Sequence, residues 1–496
     1  MSAADISAAN TLPRMEVITS PYDGRVIGEM PIAGPDDVER AIGRASEAFH
    51  TMRRLPRFVR ADILDRAAAL IDARREEVAR LIAGEAGKPL YDARGEVSRS
   101  LFNLRNAARE ARAFAGYEVP LDVDSAVFEY QTARADGQSL DLSSTDLDAL
   151  AGLGRRVGIA RRFPIGPILA ITPFNFPLNL VLHKVAPAIA TGNTVVLKPA
   201  PQTPLTSRFL AEILAEAGLP EGALSVVHCD VAAAEDMVRD ERIAMVTFTG
   251  SARVGWHIKA IAGKKKVTLE LGGNGAVVVA PDADVAFAAA RCVRGGVVYG
   301  GQYCIGVQRI IAHEAIADDL ETALLNRLAQ CRVGDPMDEG VDVGPVIDEG
   351  SAKRIEAWIR EAEHGGARTL IGGTRQGAVV APTLITDTTP DMKVECEEVF
   401  GPVMTLTRVA SVEDGIARAA ASRYGLQGGF FTNDIRAAFR ALETWDVGGL
   451  MINDVPIYRV DNMPFGGWRD SGFGREGTRD AMEEMTDVKF MVVNYA

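Results

Sequence analysis

Cysteine is scarce and poorly spaced for pairing. The five residues, Cys229, Cys292, Cys304, Cys331 and Cys396, include no C-x-x-C pair. Neither a disulfide framework nor a zinc knuckle is expected, and the thiols read as reduced and open to chemistry. Histidine is equally sparse. His50, His183, His228, His257, His313 and His364 show no i, i+3 or i, i+4 pairing, so no metal site is expected and each reads as a core or surface residue. No Lys/Arg run exceeds Lys264-Lys265-Lys266, and 67 acidic against 54 basic residues give a net charge of −13. A phosphate backbone needs a basic face, so no nucleic acid partner is expected. No segment approaches the roughly 18 to 20 uncharged apolar residues of a membrane span, and Met1-Ser2-Ala3-Ala4-Asp5-Ile6 lacks the basic and apolar regions of a leader. A soluble, cytoplasmic protein without membrane contact is expected.

What is present is the composition of a folded chain. Hydrophobic residues make up 47% and charged residues 24%, and 48 Gly with 24 Pro follow no low-complexity period. At roughly 150 residues per domain, 496 residues suggest two to four domains.

The first 118 residues read as helices: one opened by Pro35-Asp36-Asp37 with Ile42, Ala45 and Phe49 on one face, one from Arg60 past Leu81, and one from Glu96 to Ala115. From Gly166 short apolar runs at 168–171, 194–197, 224–227 and 245–248 alternate with helical stretches such as 204–217. That alternation is the signature of βαβ units around a parallel sheet. A second alternating block follows Gly273, with strands at 276–279 and 308–313 and a helix at 316–330. Residues 123 to 160 are polar, acidic and aperiodic, and read as an arm, hairpin or loop.

Several familiar motifs fail. Gly472-Phe473-Gly474-Arg475-Glu476-Gly477 matches G-x-G-x-x-G but follows Trp468-Arg469-Asp470-Ser471, which is no apolar strand. Neither G-x-x-x-x-G-K-[ST] nor G-x-S-x-G occurs, so P-loop and serine-hydrolase chemistry have no anchor.

Other motifs sit where strands end. Met245-Val-Thr-Phe248 runs into Thr249-Gly250-Ser251 and a helix, offering free N–H groups to a phosphate or forming an ordinary turn. Lys198 closes Thr194-Val-Val-Leu197 at the carboxyl edge of the sheet, as a ligand contact or a solvated strand end. In Ile171-Thr172-Pro173-Phe174-Asn175-Phe176-Pro177 an amide stands among aromatics, as an oxyanion donor or a turn former. Glu270 lies between apolar residues before Gly272-Gly273, where burial raises a carboxyl pKa as a general base requires. Cys304 follows Gly300-Gly301-Gln302-Tyr303, and N–H groups clustered there would favour the thiolate.

Together and in this order, from about residue 15 to 492, these motifs resemble the aldehyde dehydrogenase superfamily, with Glu270 standing 34 positions before Cys304. The resemblance implies an α/β fold with a Rossmann-type cofactor domain, a second α/β catalytic domain and a β-arm for oligomerisation. The corresponding segments are 1–122 with 161–272, 273–448, and 123–160 with 478–496, with a bridging and substrate-tunnel segment at 449–477. It also implies a mechanism. Cys304 adds to the aldehyde carbonyl, Asn175 and the Cys304 N–H hold the oxyanion, hydride departs to leave a thioester, and Glu270 activates water to hydrolyse it. Lys184 and Glu476 match positions used around proton transfer.

The implied cofactor is NAD or NADP. Thr172, Phe174, Lys198, Gly250 and Ser251 match contact positions, as do Gly255, Leu271, Glu398 and Phe400. Pro201 stands where many members place a glutamate that repels a 2′-phosphate, so NADP is not excluded electrostatically. Asn274 replaces a frequent lysine, and Tyr303 precedes the nucleophile at a pocket position. The segment Met451 to Gly467 resembles the branch holding lactaldehyde, phosphonoacetaldehyde and non-phosphorylating glyceraldehyde-3-phosphate dehydrogenases. There Arg459 is either an anion anchor or a salt-bridge partner of Asp461 or Asp454, and Phe465 lines the tunnel. The apolar end Phe490-Met-Val-Val493 reads as an edge strand, and the resemblance implies a homodimer or homotetramer joined through it. Two other readings are a CoA-acylating dehydrogenase, against which Glu270 speaks, and a non-catalytic scaffold, against which Cys304, Glu270 and Asn175 speak together.

Overall fold

The computed structural model describes residues 14–121, 123 and 156–495. The arm expected at 123–160 therefore falls mostly outside the described residues. Two large sheets carry the chain. A six-stranded sheet runs Gly472–Phe473, Lys266–Glu270, Met245–Thr249, Pro167–Ile171, Thr194–Lys198, Leu224–Val226. All its pairs are parallel except that Gly472–Phe473 lies antiparallel to Leu269 and Glu270. A seven-stranded sheet runs Arg368–Ile371, Thr383–Thr386, Val403–Val409, Val307–His313, Gly275–Val279, Gln427–Phe431, Gly449–Ile452, antiparallel only at its first pair.

The central strands are short and rich in Val, Ile and Leu because both faces are covered by helices. On one face of the six-stranded sheet, Ile168, Val195 and Leu197 pack with the helices Arg57–Ala73, Leu90–Ala113 and Asn179–Thr191. On the other, Leu169, Val196 and Val246 meet Val38, Ala41 and Ile42 of the helix Pro35–Met52. Several helices start on side-chain caps that hold their entry angle. Asp230 accepts from the Ala233 N–H, and Asp284 from the Phe287 N–H.

Three sequence expectations need correction. The helix expected from Arg60 past Leu81 is two helices, Arg57–Ala73 and Arg75–Ala86. The break is at Arg74 (φ −112°, ψ 24°), whose N–H reaches both Leu70 and Ile71 carbonyls. No proline or glycine marks it, so the apolar period runs straight through. The region before Pro35 is not helical: Met15–Thr19 pairs antiparallel with Val26–Pro31. On its two strands only Ile18 and Met30 are buried, too few for a readable alternation. The third helix begins at Leu90 rather than Glu96.

The C-terminal strand Thr486–Asn494 pairs along its length with Arg156–Pro164 and is the outer strand of a three-stranded sheet completed by Tyr117–Val119. Phe490 and Met491 on it are 50% and 53% exposed.

A buried charge joins the helical layer to the sheet. Glu96 accepts the N–H groups of Leu178 (2.9 Å) and Asn179 (3.0 Å) at the start of the helix Asn179–Thr191, and its other oxygen is bonded to the buried Lys88 ammonium. Lys88 lies 3.6 Å over the Phe176 ring and 4.6 Å over the Tyr299 ring. Removing one member of a buried pair leaves the other charge uncompensated. Lys88→Met should lower stability by about 3–5 kcal/mol, read as a fall in the urea midpoint; an unchanged midpoint would show that the pair carries nothing.

Candidate active site

The carboxyl ends of the strands Pro167–Ile171, Thr194–Lys198, Met245–Thr249 and Lys266–Glu270 open into a cavity of about 950 Å³. Its wall is completed by Cys304, which follows the helix Val285–Val297, and by Glu398 and Phe400 before the strand Val403–Val409. Of the residues singled out in the sequence, Thr172, Phe174, Asn175, Lys198, Pro201 and Gly250 line it. So do Ser251, Glu270, Leu271, Cys304, Glu398 and Phe400. Gly255 does not. A Cβ there would stand 2.3 Å from Leu271 Cδ2, so its bareness lets the helix Ala252–Ile261 lie close against that side chain.

The chain reaches Cys304 through a left-handed turn. Tyr299, Gly300 and Gly301 all have positive φ, and a Cβ on Gly301 would lie 2.0 Å from the Gly401 carbonyl oxygen. Tyr299 is held there by its hydroxyl on the Ala86 carbonyl at 2.7 Å and its N–H on Asp92 Oδ2 at 3.1 Å. Gly301 thus serves close chain passage. Contrary to the expectation of a favoured thiolate, burial pushes the Cys304 thiol up to about 12, with Glu398 and Glu270 adding to the rise and Arg459 opposing it.

Glu270 is raised well above the ordinary carboxyl range, by burial first and then by the negative charge of Glu476; Arg459, Lys184 and Arg475 pull the other way. Both its carboxyl oxygens lack a hydrogen-bond partner, so the group is free for a water or a substrate atom. The Asn175 amide donates one N–H to the Gln302 carbonyl at 2.9 Å, which ties it to the segment bearing Cys304 and leaves its second N–H for the cavity.

At the far side of the cavity the first amides of the helix Ala252–Ile261 receive no cap from the Ser251 side chain, and Lys198, at the end of a strand two places away in the sheet, lines the same cavity. Orphan helix amides in a cavity that also holds an ammonium suit a phosphate. Glu398 accepts the Gly273 N–H at 3.1 Å, and burial lifts its carboxyl to about 7. Phe400 (φ +50°) sits edge-on to Phe174 at 5.8 Å. These residues fit a dinucleotide.

Behind Glu270, Lys184 is bonded to Glu476 and donates to Thr247 Oγ1 at 3.1 Å. Burial raises Glu476, but Lys184 and His183 outweigh it and hold the carboxyl below its usual range. On the remaining side, Phe465 packs with Ile305 and Leu426, with Tyr303 and Cys304 against them. Arg459 lies 3.6 Å over the Phe465 ring. Its Nε is 3.8 Å from Asp461 Oδ1, and Asp454 bonds Arg291 instead. Asn274 is a buried bonding node, donating to the Glu395 carbonyl and accepting from Ser422 Oγ, both at 2.8 Å.

Two residues escaped the sequence reading. Arg99 of the helix Leu90–Ala113 donates to Asp461 Oδ1 at 2.6 Å and to Tyr303 Oη at 2.8 Å. His183, one of the scattered histidines, lies 3.0 Å from Asp461 Oδ1 through Nε2 and 3.2 Å from Arg459 Nη2 through Nδ1.

A single family model, described as the aldehyde dehydrogenase family, matches residues 7–491. The chain belongs to the aldehyde dehydrogenase family. It is 40% identical over 485 residues to a 3-sulfolactaldehyde dehydrogenase of Priestia aryabhattai, covering 98% of this chain and 96% of that one. Among solved structures, aldehyde dehydrogenase 21 from Physcomitrella patens, in complex with the reaction product succinate, superposes with a TM-score of 0.90 at 38% identity, covering 98% and 96% of the two chains. Glyceraldehyde-3-phosphate dehydrogenase GapN from Methanocaldococcus jannaschii, complexed with NADP, gives a TM-score of 0.88 at 35% identity, covering 97% and 99%. The family resemblance and the α/β fold drawn from the sequence are borne out. As an aldehyde dehydrogenase the protein is an oxidoreductase that acts on aldehydes with NAD or NADP. Among the described residues, no helix is long and apolar enough to cross a membrane.

With a thiol near 12, the thiolate fraction climbs about tenfold per pH unit across the neutral range. Alkylation of Cys304 by iodoacetamide in the free enzyme should therefore rise log-linearly from about pH 6 to 9. A plateau below about pH 8 would show instead a thiol activated before substrate arrives.

Proposed function

We propose that the protein oxidises a small anionic aldehyde to its carboxylic acid through a covalent intermediate on Cys304. The carrying observation is the charge buried behind Tyr303 and Phe465, which pack with Cys304. Two guanidiniums, Arg99 and Arg459, converge on one carboxylate, Asp461, leaving a surplus positive charge beside those rings. A guanidinium paired with a carboxylate, sulfonate or phosphate is the natural way to use it. The 3-sulfolactaldehyde dehydrogenase and the succinate-bound structure support the anionic class.

In this reading Cys304 attacks the carbonyl carbon, and the free Asn175 N–H with the Cys304 N–H stabilises the oxyanion of the thiohemiacetal. The bound dinucleotide supplies the hydride acceptor. Glu270, with both oxygens unpartnered, takes a proton from the water that hydrolyses the thioester; this base in place favours water over CoA as acceptor. Glu476 and Lys184 adjust the charge behind it. Lys198, Gly250 and Ser251 grip the phosphates and adenosine, and Glu398 and Phe400 the nicotinamide side. Pro201, on the same wall, leaves NADP as acceptable as NAD. Residues 1–122 with 161–272 act as the cofactor domain and 273–448 as the catalytic domain. The exposed apolar strand Thr486–Asn494 joins a second subunit in a homodimer or homotetramer. The protein works in the cytoplasm.

A panel of apolar, hydroxylated, carboxylated, sulfonated and phosphorylated aldehydes, followed by nicotinamide absorbance with Cys304→Ala as control, tests this reading. Arg459→Ala should cost about 1–3 kcal/mol of apparent binding for the anionic members. An equal loss with propanal would show that Arg459 only supports the fold. Glu270→Gln should release one rapid equivalent of reduced cofactor and then stall; uniform slowing without that burst would remove Glu270 from the hydrolytic step.

A further inference from the structure

The two guanidiniums that meet Asp461 are not equally placed for a ligand. The Arg459 side chain is 4% exposed. Its guanidinium stands 3.6 Å over the Phe465 ring, with Nη2 3.2 Å from His183 Nδ1. The Arg99 side chain is 27% exposed, and Asp461 between the two is buried. Tyr303 and Cys304 are likewise only half-buried, whereas Phe176, Ile305 and Phe465 around them are buried. The Tyr303 ring meets Phe176 edge-on at 4.7 Å, and Arg99 lies 5.7 Å over the same Phe176 ring. Phe176 follows Asn175 directly and Tyr303 directly precedes Cys304. The open side of the cluster therefore runs from Arg99 past Tyr303 to the thiol.

Arg99 also has donors to spare. Of its five N–H groups, Nη2 and Nε each give one to the Asp461 oxygens, at 2.6 and 3.3 Å, and Nη1 gives one to Tyr303 Oη at 2.8 Å. One N–H on each Nη has no acceptor among the described residues. Tyr303 Oη accepts from Arg99, and its own O–H likewise meets no acceptor among the described residues. Burial raises the phenol above its ordinary range against the pull of Arg99, so the hydroxyl keeps its proton and remains a donor.

We propose that Arg99 and Tyr303 form the anion seat and determine substrate specificity: a spare Arg99 N–H and the Tyr303 O–H converge on the oxygens of the substrate's carboxylate, sulfonate or phosphonate. The inference rests on the anionic-aldehyde reading above. Asp461 fixes the plane of the guanidinium through two hydrogen bonds. Arg459 adds its charge from beside the Phe465 ring without touching the anion. The guanidinium supplies charge and the phenol supplies direction. Because consecutive residues carry the phenol and the thiol, the chain itself sets the seat relative to the carbonyl under attack.

Succinic semialdehyde, sulfoacetaldehyde and phosphonoacetaldehyde, each compared with butanal, test the assignment through the ratio of kcat/KM values. Wild type should prefer at least one of the three anions. Tyr303→Phe keeps the ring against Phe176 and removes only the hydroxyl; it should lower that preference by about ten- to a hundredfold, mainly through KM for the anion. Arg99→Lys, which keeps a charge and loses the planar fork, should lower it as well. An unchanged ratio in Y303F, or an equal rise in KM for butanal, would overturn the seat and leave the anionic reading standing. A wild-type enzyme that prefers none of the three to butanal would overturn the anionic reading and the seat with it. Y303F decides the matter even where the Arg99 variant does not fold.

Discussion

One carboxylate ties the helical layer to the chemistry. Glu96 occupies the N-terminus of the helix Asn179–Thr191 and neutralises two amides that would otherwise be buried without acceptors. That contact sets where the helix begins and therefore where its neighbours fall. Asn175 lies in the turn just before it, and His183 and Lys184 one turn inside it. The Lys88 ammonium behind Glu96 reaches the rings of Phe176 and Tyr299, so the same buried charge also braces the turn leading to Cys304. Fixing Glu96 fixes the Asn175 amide, the histidine and the lysine relative to the thiol.

The second constraint is that the site contains more ionisable groups than a dry interior tolerates when charged. Glu270, Glu398 and Cys304 are all lifted by burial, whereas Asp461 and Glu476 are held down against burial by the cations and histidine around them. The division follows the partners. A carboxyl with an ammonium or guanidinium in contact is held below its ordinary range, and one without such a contact is raised above it. The site is thereby sorted into groups that hold charge as scaffolding and groups that exchange protons during turnover.

Much of this was legible in the sequence, for a physical reason. The strands are short, fully buried and made of Val, Ile and Leu, and the reactive residues fall at their carboxyl ends, so strand position and site position are read together. Asn175 and Glu270 were found that way, and they share one cavity with Cys304, which was singled out by the glycines before it. Arg99 and His183 were not. Their common partner Asp461 is 362 and 278 residues away along the chain, and neither sits in a pattern that distinguishes it from an ordinary helical arginine or histidine. The thiol was misjudged for a related reason. Glycines before a cysteine suggest amides aimed at sulfur, but here Gly301 is bare because the Gly401 carbonyl passes against it. The helix break at Arg74 and the hairpin at Met15–Pro31 leave no composition signal, being set by where the chain packs.

In the proposed reading, the charges that would recognise an anion and those that act on the thiol are not separate. Arg459 favours the ionised forms of both Cys304 and Glu270, while Glu270 opposes ionisation of Cys304. The thiol and the base therefore compete for the same positive charge, and each ionises most easily while the other is neutral. That ordering suits a reaction in which sulfur acts first and the carboxylate acts later. A substrate anion adds a further negative charge and would cancel the help that Arg459 gives to Cys304 if Arg459 stood alone. Arg99, fixed between Tyr303 and Asp461, supplies a second guanidinium on the same wall, so one cation can meet the substrate while positive potential remains beside the sulfur. In the proposed reading an arginine pair would do what a single arginine cannot: bind a negative charge next to a nucleophile that must itself become negative.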